Sequence, residues 1–256
     1  MSSEAEKIHV AVRERYGQLA RGAEAGSCCQ PESSCCGSRE SVQLHEGQSA
    51  DSLSMDLTGL SLGCGDPVTI ASLREGETVL DLGSGAGLDC FLAAQRVGDS
   101  GRVIGVDMTP EMIGRAEANR LKLELRNVEF RLGTIESLPL DDGSVDVIIT
   151  NCVINLAPDK APVFREAFRV LKPGGRISIS DIVTEGEFSR DQREDMDRWA
   201  ECISGAIDVK QYLSLMKEAG FTDARVVNRE DYAVSVSARE AMPRVYSARI
   251  TARKPG

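Results

Sequence analysis

The fold of this chain is decided by one stretch, Thr78-Val79-Leu80-Asp81-Leu82-Gly83-Ser84-Gly85-Ala86-Gly87-Leu88-Asp89-Cys90. Its apolar first half predicts a buried strand, and its second half predicts a glycine turn that runs into a helix. Because glycine has no Cβ, such a turn lets a ligand approach the backbone, and the helix points its first N–H groups at the same place. The stretch therefore predicts a nucleotide-type pocket, with the thiol of Cys90 one short step beyond it.

Composition and charge narrow the classes of protein to which this chain can belong. It has 256 residues and a formal net charge of −10, from 40 acidic and 30 basic residues. This charge argues against nucleic-acid partners and anionic membrane surfaces, since both would repel it. The first residues lack the apolar core of a signal peptide, and the most apolar window, residues 145–157, is too short to span a bilayer. We therefore expect a cytoplasmic protein.

The chain contains eight cysteines and only two histidines. Cytoplasmic thiols stay reduced, so we expect these cysteines to have a chemical role rather than to form structural disulfides. A loop rich in glycine and serine carries Cys28, Cys29, Cys35 and Cys36. Adjacent cysteines fit a zinc site poorly, so this arm either collects soft ions, acts as redox pairs, or is a tail without an essential role. Cys64, between two glycines, is either a ligand thiol or a small buried residue.

Strand and helix patterns alternate from residue 77 to 182, which predicts a parallel sheet with helices on both faces. The predicted strands are residues 78–82, 102–107, 127–132, 145–150, 175–182, 221–229 and 245–253. The predicted helices are residues 4–20, 67–73, 87–97, 110–123, 159–171 and 189–219, and residues 172–175 predict a turn. The first helix either packs on the main domain or closes over the ligand.

The spacing of the glycines distinguishes between cofactors. A dinucleotide fingerprint needs glycine at its first, third and sixth positions, and here the sixth position is Leu88. A pyrophosphate also disfavours a nearby carboxylate, whereas the ammonium group of S-adenosylmethionine is attracted by one. Asp81, two residues before the turn, supplies that carboxylate. The turn therefore favours S-adenosylmethionine over a nicotinamide dinucleotide.

Further candidate residues follow the other predicted strands, at the edge where ligands of such sheets bind. Asp107, at the end of the second strand, is placed to accept both ribose hydroxyls. After the third strand, the backbone of Ile135 and the side chain of Glu136 are placed to bind adenine. Around the end of the fourth strand lie Asp146, Asn151 and Cys152, of which the last two are expected to face the cleft.

Three segments resemble the arsenite methyltransferases, a family within the class I S-adenosylmethionine-dependent methyltransferases. They are Asp81-Leu-Gly-Ser-Gly-Ala-Gly-Leu-Asp-Cys90, Asn151-Cys-Val-Ile-Asn-Leu-Ala-Pro-Asp-Lys160 and Glu201-Cys-Ile-Ser-Gly-Ala206. The resemblance covers roughly residues 50–220, and the helix around Tyr16-Gly17 is also similar. It implies a Rossmann-like α/β fold with a seven-stranded sheet, an N-terminal Cys-rich arm and a C-terminal α+β substrate-binding portion.

The resemblance also implies a division of the chain and of its site residues. The parts are an N-terminal helix and arm (1–50), an S-adenosylmethionine-binding domain (51–185) and an arsenic-binding portion (186–256). The implied arsenic thiols are Cys90, Cys152 and Cys202, with Cys64 and the arm cysteines as accessory thiols. The predicted cofactor set is Asp81, Gly83, Ser84, Gly85, Gly87, Asp107, Met108, Thr134, Ile135, Glu136 and Asn151.

Trivalent arsenic is thiophilic, and three thiolates leave it one lone pair that can attack the cofactor's methyl group. The expected partners are therefore arsenite or its thiol conjugates and a thiol reductant of the glutathione or thioredoxin type. Two alternatives stay open. A methyltransferase of an organic small molecule would need an aromatic site, yet aromatic residues make up only 4% of the chain. A non-catalytic, thiol-based metalloid-binding protein would not need the cofactor pattern.

Overall fold

The computed structural model describes residues 4–22, 68, 71–193, 199, 203–231 and 243–256. The arm cysteines, Cys64 and Cys202 lie outside these residues, so the predictions made for them stay predictions. Within the described residues, no helix is long and apolar enough to cross a membrane.

The elements follow the predicted alternation closely. The strands are β1 Thr78–Leu82, β2 Arg102–Asp107, β3 Val128–Leu132, β4 Val145–Asn151, β5 Leu171–Glu185, β6 Thr222–Asp231 and β7 Arg244–Arg253. The helices are α1 Glu4–Arg21, α2 Leu88–Val97, α3 Pro110–Lys122, α4 Lys160–Val170, α5 Arg190–Arg193 and α6 Val209–Glu218, with a 3₁₀ turn at Ile154–Leu156.

All seven strands form one sheet in the order β3-β2-β1-β4-β5-β7-β6. Strands β1 to β5 pair in parallel, while β7 runs antiparallel to both β5 and β6. The predicted seven-stranded class I methyltransferase fold is thereby confirmed. The two strands of the predicted C-terminal portion belong to this sheet. The parallel arrangement brings the carboxyl ends of β1, β2, β3 and β4 to one edge.

The core lies on both faces of the sheet because alternate strand residues point in opposite directions. Leu80 and Ile148 belong to one buried cluster, with Phe164 of α4. Their neighbours Val79 and Val147 belong to the cluster on the other face, with α2. This double burial explains why the parallel strands are almost continuous apolar runs.

A third apolar cluster attaches α1 to the sheet edge. Ile8 and Val12 of α1 are 5% and 1% exposed, and they pack with Cys152, Leu156 and Ile203. The apolar face of the first helix, which Ile8 and Val12 share because they are four residues apart, is therefore the face that is buried. It places α1 beside the carboxyl ends of the strands.

Three local expectations differ from the structure. The predicted turn at 172–175 is a bulge inside β5, since Val145 pairs with Leu171 but Val147 pairs with Arg176. The predicted helix at 189–219 is interrupted, because residues 203–207 are not helical and α6 begins after Asp208. Asp146 lies near the amino end of β4, where it accepts hydrogen bonds from the Lys172 ammonium and the Thr78 N–H. It is therefore remote from the carboxyl edge.

Candidate active site

A cleft opens at the carboxyl edge of β1, β2 and β4, between the glycine turn, the 3₁₀ turn and α1. It holds about 1170 Å³ of space, part of it open to solvent. The lining residues are His9, Val12, Tyr16, Asp81, Gly83, Ser84, Gly85, Ala86, Leu88, Asp89, Asp107, Met108, Thr109, Met112, Gly133, Ile135, Glu136, Asn151, Cys152, Val153, Leu156 and Ala157. Such a position is typical of ligand sites in open α/β sheets.

The N–H groups of the glycine turn are already used within the protein. Gly83 and Ser84 both donate to the Val106 carbonyl, at 2.8 and 3.1 Å. Gly85 N–H donates to Asp107 Oδ2 at 2.9 Å, and Gly87 N–H donates to the Ser84 carbonyl at 2.9 Å. These four N–H groups are thus not free for a pyrophosphate. The turn offers close backbone approach and nearby carboxylates instead.

Carboxylates dominate the charge of the cleft. Among the described lining residues, Asp81, Asp89, Asp107 and Glu136 are acidic, and His9 is the only basic one. Burial raises the pKa of Asp81 well above its ordinary value, and the negative charges of Asp89 and Asp107 add to the rise. A cationic ligand would stabilise the ionised form of Asp81. The electrostatics therefore favour a ligand that carries positive charge beside Asp81.

Asp107 is held at the end of β2 by backbone donors. Its Oδ2 accepts from Gly85 N–H at 2.9 Å, and its Oδ1 accepts from Thr109 N–H at 2.8 Å. Burial nevertheless raises the pKa of Asp107. The carboxylate faces the cleft in a fixed orientation, and each oxygen keeps acceptor capacity for a ligand hydroxyl.

Helix α1 covers the end of the cleft where the adenine contact was predicted. His9 Nε2 lies 2.8 Å from Glu136 Oε1, and Val12 and Tyr16 line the same wall. Glu136, predicted to bind adenine, is thus linked to α1 in this structure. The pair joins two elements that are 127 residues apart in the chain.

Cys90 occupies a different place from the one predicted. It is 0% exposed, belongs to the core cluster between α2 and the sheet, and does not line the cleft. Its thiol donates to Asp81 Oδ2 at 3.2 Å. Burial, with the negative charge of Asp81, raises the pKa of the Cys90 thiol well above its ordinary value. A neutral, enclosed thiol does not fit the predicted role of arsenic ligand, which requires a reachable thiolate.

Cys152 does line the cleft, at the end of β4. Its φ of 56° is in the left-handed region, which a residue with a Cβ adopts at a cost of about 1 kcal/mol or more. The backbone is fixed there by a hydrogen bond from Cys152 N–H to the Ser180 carbonyl at 2.8 Å. Cys152 is disulfide-bonded, while Cys90 is a free thiol.

The residues on either side of Cys202 lie against the 3₁₀ turn that follows Cys152. Three residues before Cys202 in the sequence, Trp199 Nε1–H donates to the Leu156 carbonyl at 3.3 Å. Three residues after Cys202, Gly205 lies so close to the turn that an added Cβ would come within 2.0 Å of the Asn155 carbonyl oxygen. Glycine at 205 is thus required for this approach. Ile203, next to Cys202, packs in the cluster that contains Cys152.

Most of the predicted cofactor residues line the cleft, and two do not. Those that do are Asp81, Gly83, Ser84, Gly85, Asp107, Met108, Ile135, Glu136 and Asn151. Gly87 and Thr134 do not line it. Gly87 has φ 95°, and a Cβ there would meet the rings of Phe91 and Phe130 at 2.6 and 2.8 Å, so this glycine serves packing.

The sequence interpretation missed several lining residues, of which those from α1 are the most informative. His9, Val12 and Tyr16 recur at helical spacing, so their shared face was visible but not what it covers. Asp89 was also missed, although it lies in the opening stretch. It faces the cleft and accepts from Asn151 Nδ2 at 3.2 Å.

Comparison with known proteins agrees with this geometry. Residues 73–220 match the family model described as a methyltransferase domain. The arsenite methyltransferase of Halobacterium salinarum is 44% identical, over 98% of this chain and 67% of its own length. That of Aquipseudomonas alcaligenes is 38% identical, over 90% of this chain and 66% of its own length.

A solved structure of an arsenic methyltransferase is also similar to this chain. The arsenic(III) S-adenosylmethionine methyltransferase of Chlamydomonas reinhardtii superposes with a TM-score of 0.64 at 39% identity. The match covers 76% of this chain and 67% of that one. This chain thus spans about two thirds of the length of the relatives that it matches.

Proposed function

This chain belongs to the arsenite methyltransferase family, and from that premise we propose that it transfers a methyl group from S-adenosylmethionine to thiolate-bound trivalent arsenic. The substrate is arsenite or a thiol conjugate of it. The product is a methylated arsenical, and the biological role is arsenic detoxification.

The observation that carries the proposal is the setting of Cys152. Its sulfur lines the cleft and forms a disulfide bond, which a thiol reductant would open to a pair of thiols. Trp199 and Gly205, which bracket Cys202, both contact the turn after Cys152. Paired thiols beside a cofactor cleft are what a thiophilic metalloid requires.

The cleft residues fit S-adenosylmethionine. Asp81 offers a carboxylate to the ammonium group of its methionyl end, and Asp107 offers acceptors to its ribose hydroxyls. The engaged N–H groups of the glycine turn argue against a pyrophosphate. When bound, S-adenosylmethionine supplies an electrophilic methyl group on a sulfonium sulfur.

The chemistry needs positioning rather than a general base. Arsenic held by three thiolates keeps one lone pair, which forms the new As–C bond while the broken C–S bond leaves its electron pair on sulfur. Correct alignment of the two reactants can lower a barrier by about 7–11 kcal/mol. Arsenic is formally oxidised by two electrons in this step. Two thiols can return those electrons by forming a disulfide, which a thiol reductant of the glutathione or thioredoxin type then reopens.

The geometry changes the predicted set of arsenic ligands. Cys152 and Cys202 remain in the proposal, whereas Cys90 is buried behind Asp81 and leaves it. The third thiol then comes from Cys64 or from the arm, and both choices can be tested separately.

The test combines the full chain with arsenite, isotope-labelled S-adenosylmethionine and a thiol reductant, followed by mass spectrometry of the products. We expect labelled methylarsenicals from the unaltered protein. Cys152→Ser and Cys202→Ser should each abolish them while cofactor binding by calorimetry persists. Cys64→Ser and a variant with serine at all four arm positions then identify the third ligand, since only loss of turnover at saturating arsenite marks a ligand.

Three results would contradict the proposal. Full methylation by Cys152→Ser would remove the thiol site, and labelled product on an organic acceptor alone would favour a small-molecule methyltransferase. Arsenite binding without any methyl transfer would leave only a metalloid-binding protein.

A further inference from the structure

A buried polar cluster lies behind the cleft, between β5, the 3₁₀ turn that follows Cys152, and α6. Its centre is Asp181 of β5, which is 0% exposed. Asp181 Oδ1 accepts from Asn155 Nδ2 at 2.8 Å and from Ile182 N–H at 2.9 Å. Asp181 Oδ2 accepts from the Tyr212 hydroxyl of α6 at 3.2 Å. None of these side chains lines the cleft.

Asn155 is the link between this cluster and the thiol site. It is 0% exposed and lies in the 3₁₀ turn three residues after Cys152. Its Nδ2 donates both to Asp181 Oδ1 and to the Ile182 carbonyl, at 2.8 and 2.7 Å. Two acceptors at this distance fix the orientation of the amide, and so the position of the turn relative to β5.

The same turn also contacts Trp199 and Gly205. The carbonyl of Asn155 faces Gly205, and the carbonyl of Leu156 accepts from Trp199. A displacement of Asn155 would therefore move the turn that follows Cys152 and disturb its contacts with Trp199 and Gly205. Lys160, which is 5% exposed, adds a positive charge near Asp181 and donates to the Ala157 carbonyl at 3.3 Å.

We propose that Asp181 and Asn155 are positioning residues for the arsenic site, which hold the Cys152 turn against β5 so that the Cys152 sulfur keeps its place in the cleft. They touch neither the cofactor nor the arsenic. The inference rests on the proposed function, and it assigns these two buried side chains the role that outer hydrogen bonds have around metal ligands.

The test measures arsenite affinity through the fluorescence of Trp199, the only tryptophan in the chain, under reducing conditions. Asn155→Ala and Asp181→Ala both break the link to the turn. We expect each to weaken arsenite binding by about tenfold or more, the usual range for lost outer-shell partners. Asp181→Asn retains an acceptor for Asn155, so it should rescue most of the affinity. Cofactor affinity, measured by calorimetry, should fall much less than arsenite affinity.

Tyr212→Phe is the matched control. It removes a hydrogen bond from the other oxygen of Asp181 and leaves the contact with Asn155 intact. We expect it to lower thermal stability but not arsenite affinity. If arsenite affinity instead follows the melting temperature across all four variants, the cluster is only structural and the inference is wrong.

Failure of the inference is distinct from failure of the proposed function. If the unaltered protein neither binds nor methylates arsenite, the function itself is wrong. If the unaltered protein both binds and methylates arsenite, and the Asn155→Ala variant binds arsenite as tightly as the unaltered protein, only the positioning role is overturned. Should Asp181→Ala not fold, Asn155→Ala and Asp181→Asn still decide between these outcomes.

Discussion

The hydrogen bond from the Cys90 thiol to Asp81 changes what this cysteine is expected to do. The family resemblance implied that it is an arsenic ligand, and its position just after the glycine turn agreed with that role. A helix, however, turns by about 100° at each residue, so neighbours point in different directions. Asp89 faces the cleft, whereas Cys90 faces the sheet and packs among core residues. Sequence distance alone could not distinguish these two directions.

Asp81 and Asp107 were easier to predict, because each lies at the carboxyl end of a buried parallel strand. The carboxyl ends of such strands meet at one edge, so the two side chains had to share the cleft. The left-handed backbone at Cys152 had no signal in the sequence, since a non-glycine residue there depends on contacts from β5.

We predict that Cys90→Ser retains cofactor binding and arsenite methylation, because a hydroxyl still donates to Asp81. Cys90→Ala removes the donor from a buried carboxylate in the cleft. The expected cost is about 1 kcal/mol, or roughly fivefold in the dissociation constant of S-adenosylmethionine. Isothermal titration calorimetry of both variants measures this difference. Loss of arsenite binding in Cys90→Ser, with cofactor binding intact, would restore the role of arsenic ligand.

At the scale of elements, α1 forms part of the active-site wall. Its apolar face was visible in the sequence, but the surface that it covers was not, since the contact joins residues 127 positions apart. The interruption between Trp199 and α6 did carry signals. Gly205 inside a helical pattern, and Asp208 as a side-chain cap that accepts from Lys210 N–H at 2.8 Å, both mark a break.

We predict that His9→Ala loosens α1 and weakens cofactor binding. The His9 and Glu136 side chains are 28% and 19% exposed, so their interaction contributes about 0.5–1 kcal/mol. Hydrogen–deuterium exchange of residues 4–21 should become faster in the free protein and slow again with S-adenosylmethionine. Arg21→Ala is the control, since it breaks an ion pair with Glu111 on α3 that does not line the cleft. Equal effects of both variants on cofactor affinity would show that α1 acts only through its packing.

At the scale of the whole molecule, the parallel sheet with helices on both faces was predictable and the buried polar cluster was not. Alternating apolar strands and amphipathic helices are compatible with few topologies, and the usual one is a parallel sheet with right-handed crossover connections. Asp181, by contrast, depends on partners 26 and 31 residues away in sequence, Asn155 and Tyr212. Such pairings arise only when the layers are assembled, so a polar residue in a strand pattern does not reveal them.

Asp181 should also make the free energy of unfolding depend on pH. Burial raises the pKa of Asp181 to about 7 from an ordinary value of 3.8, although the charge of Lys160 opposes the rise. The folded protein therefore binds a proton more tightly than the unfolded chain. This contribution is fully present below the unfolded pKa and is lost as the pH rises through about 7.

The variant Asp181→Asn does not titrate at this position and lacks the contribution. The unfolding free energy of the unaltered protein minus that of this variant should therefore fall by about 2–3 kcal/mol from about pH 5 to about pH 8. Asp81 and Asp107 titrate in both proteins, so their effects cancel in the difference. Urea denaturation at both pH values measures it, and a difference that does not change with pH would mean that Asp181 keeps an ordinary pKa in the folded protein.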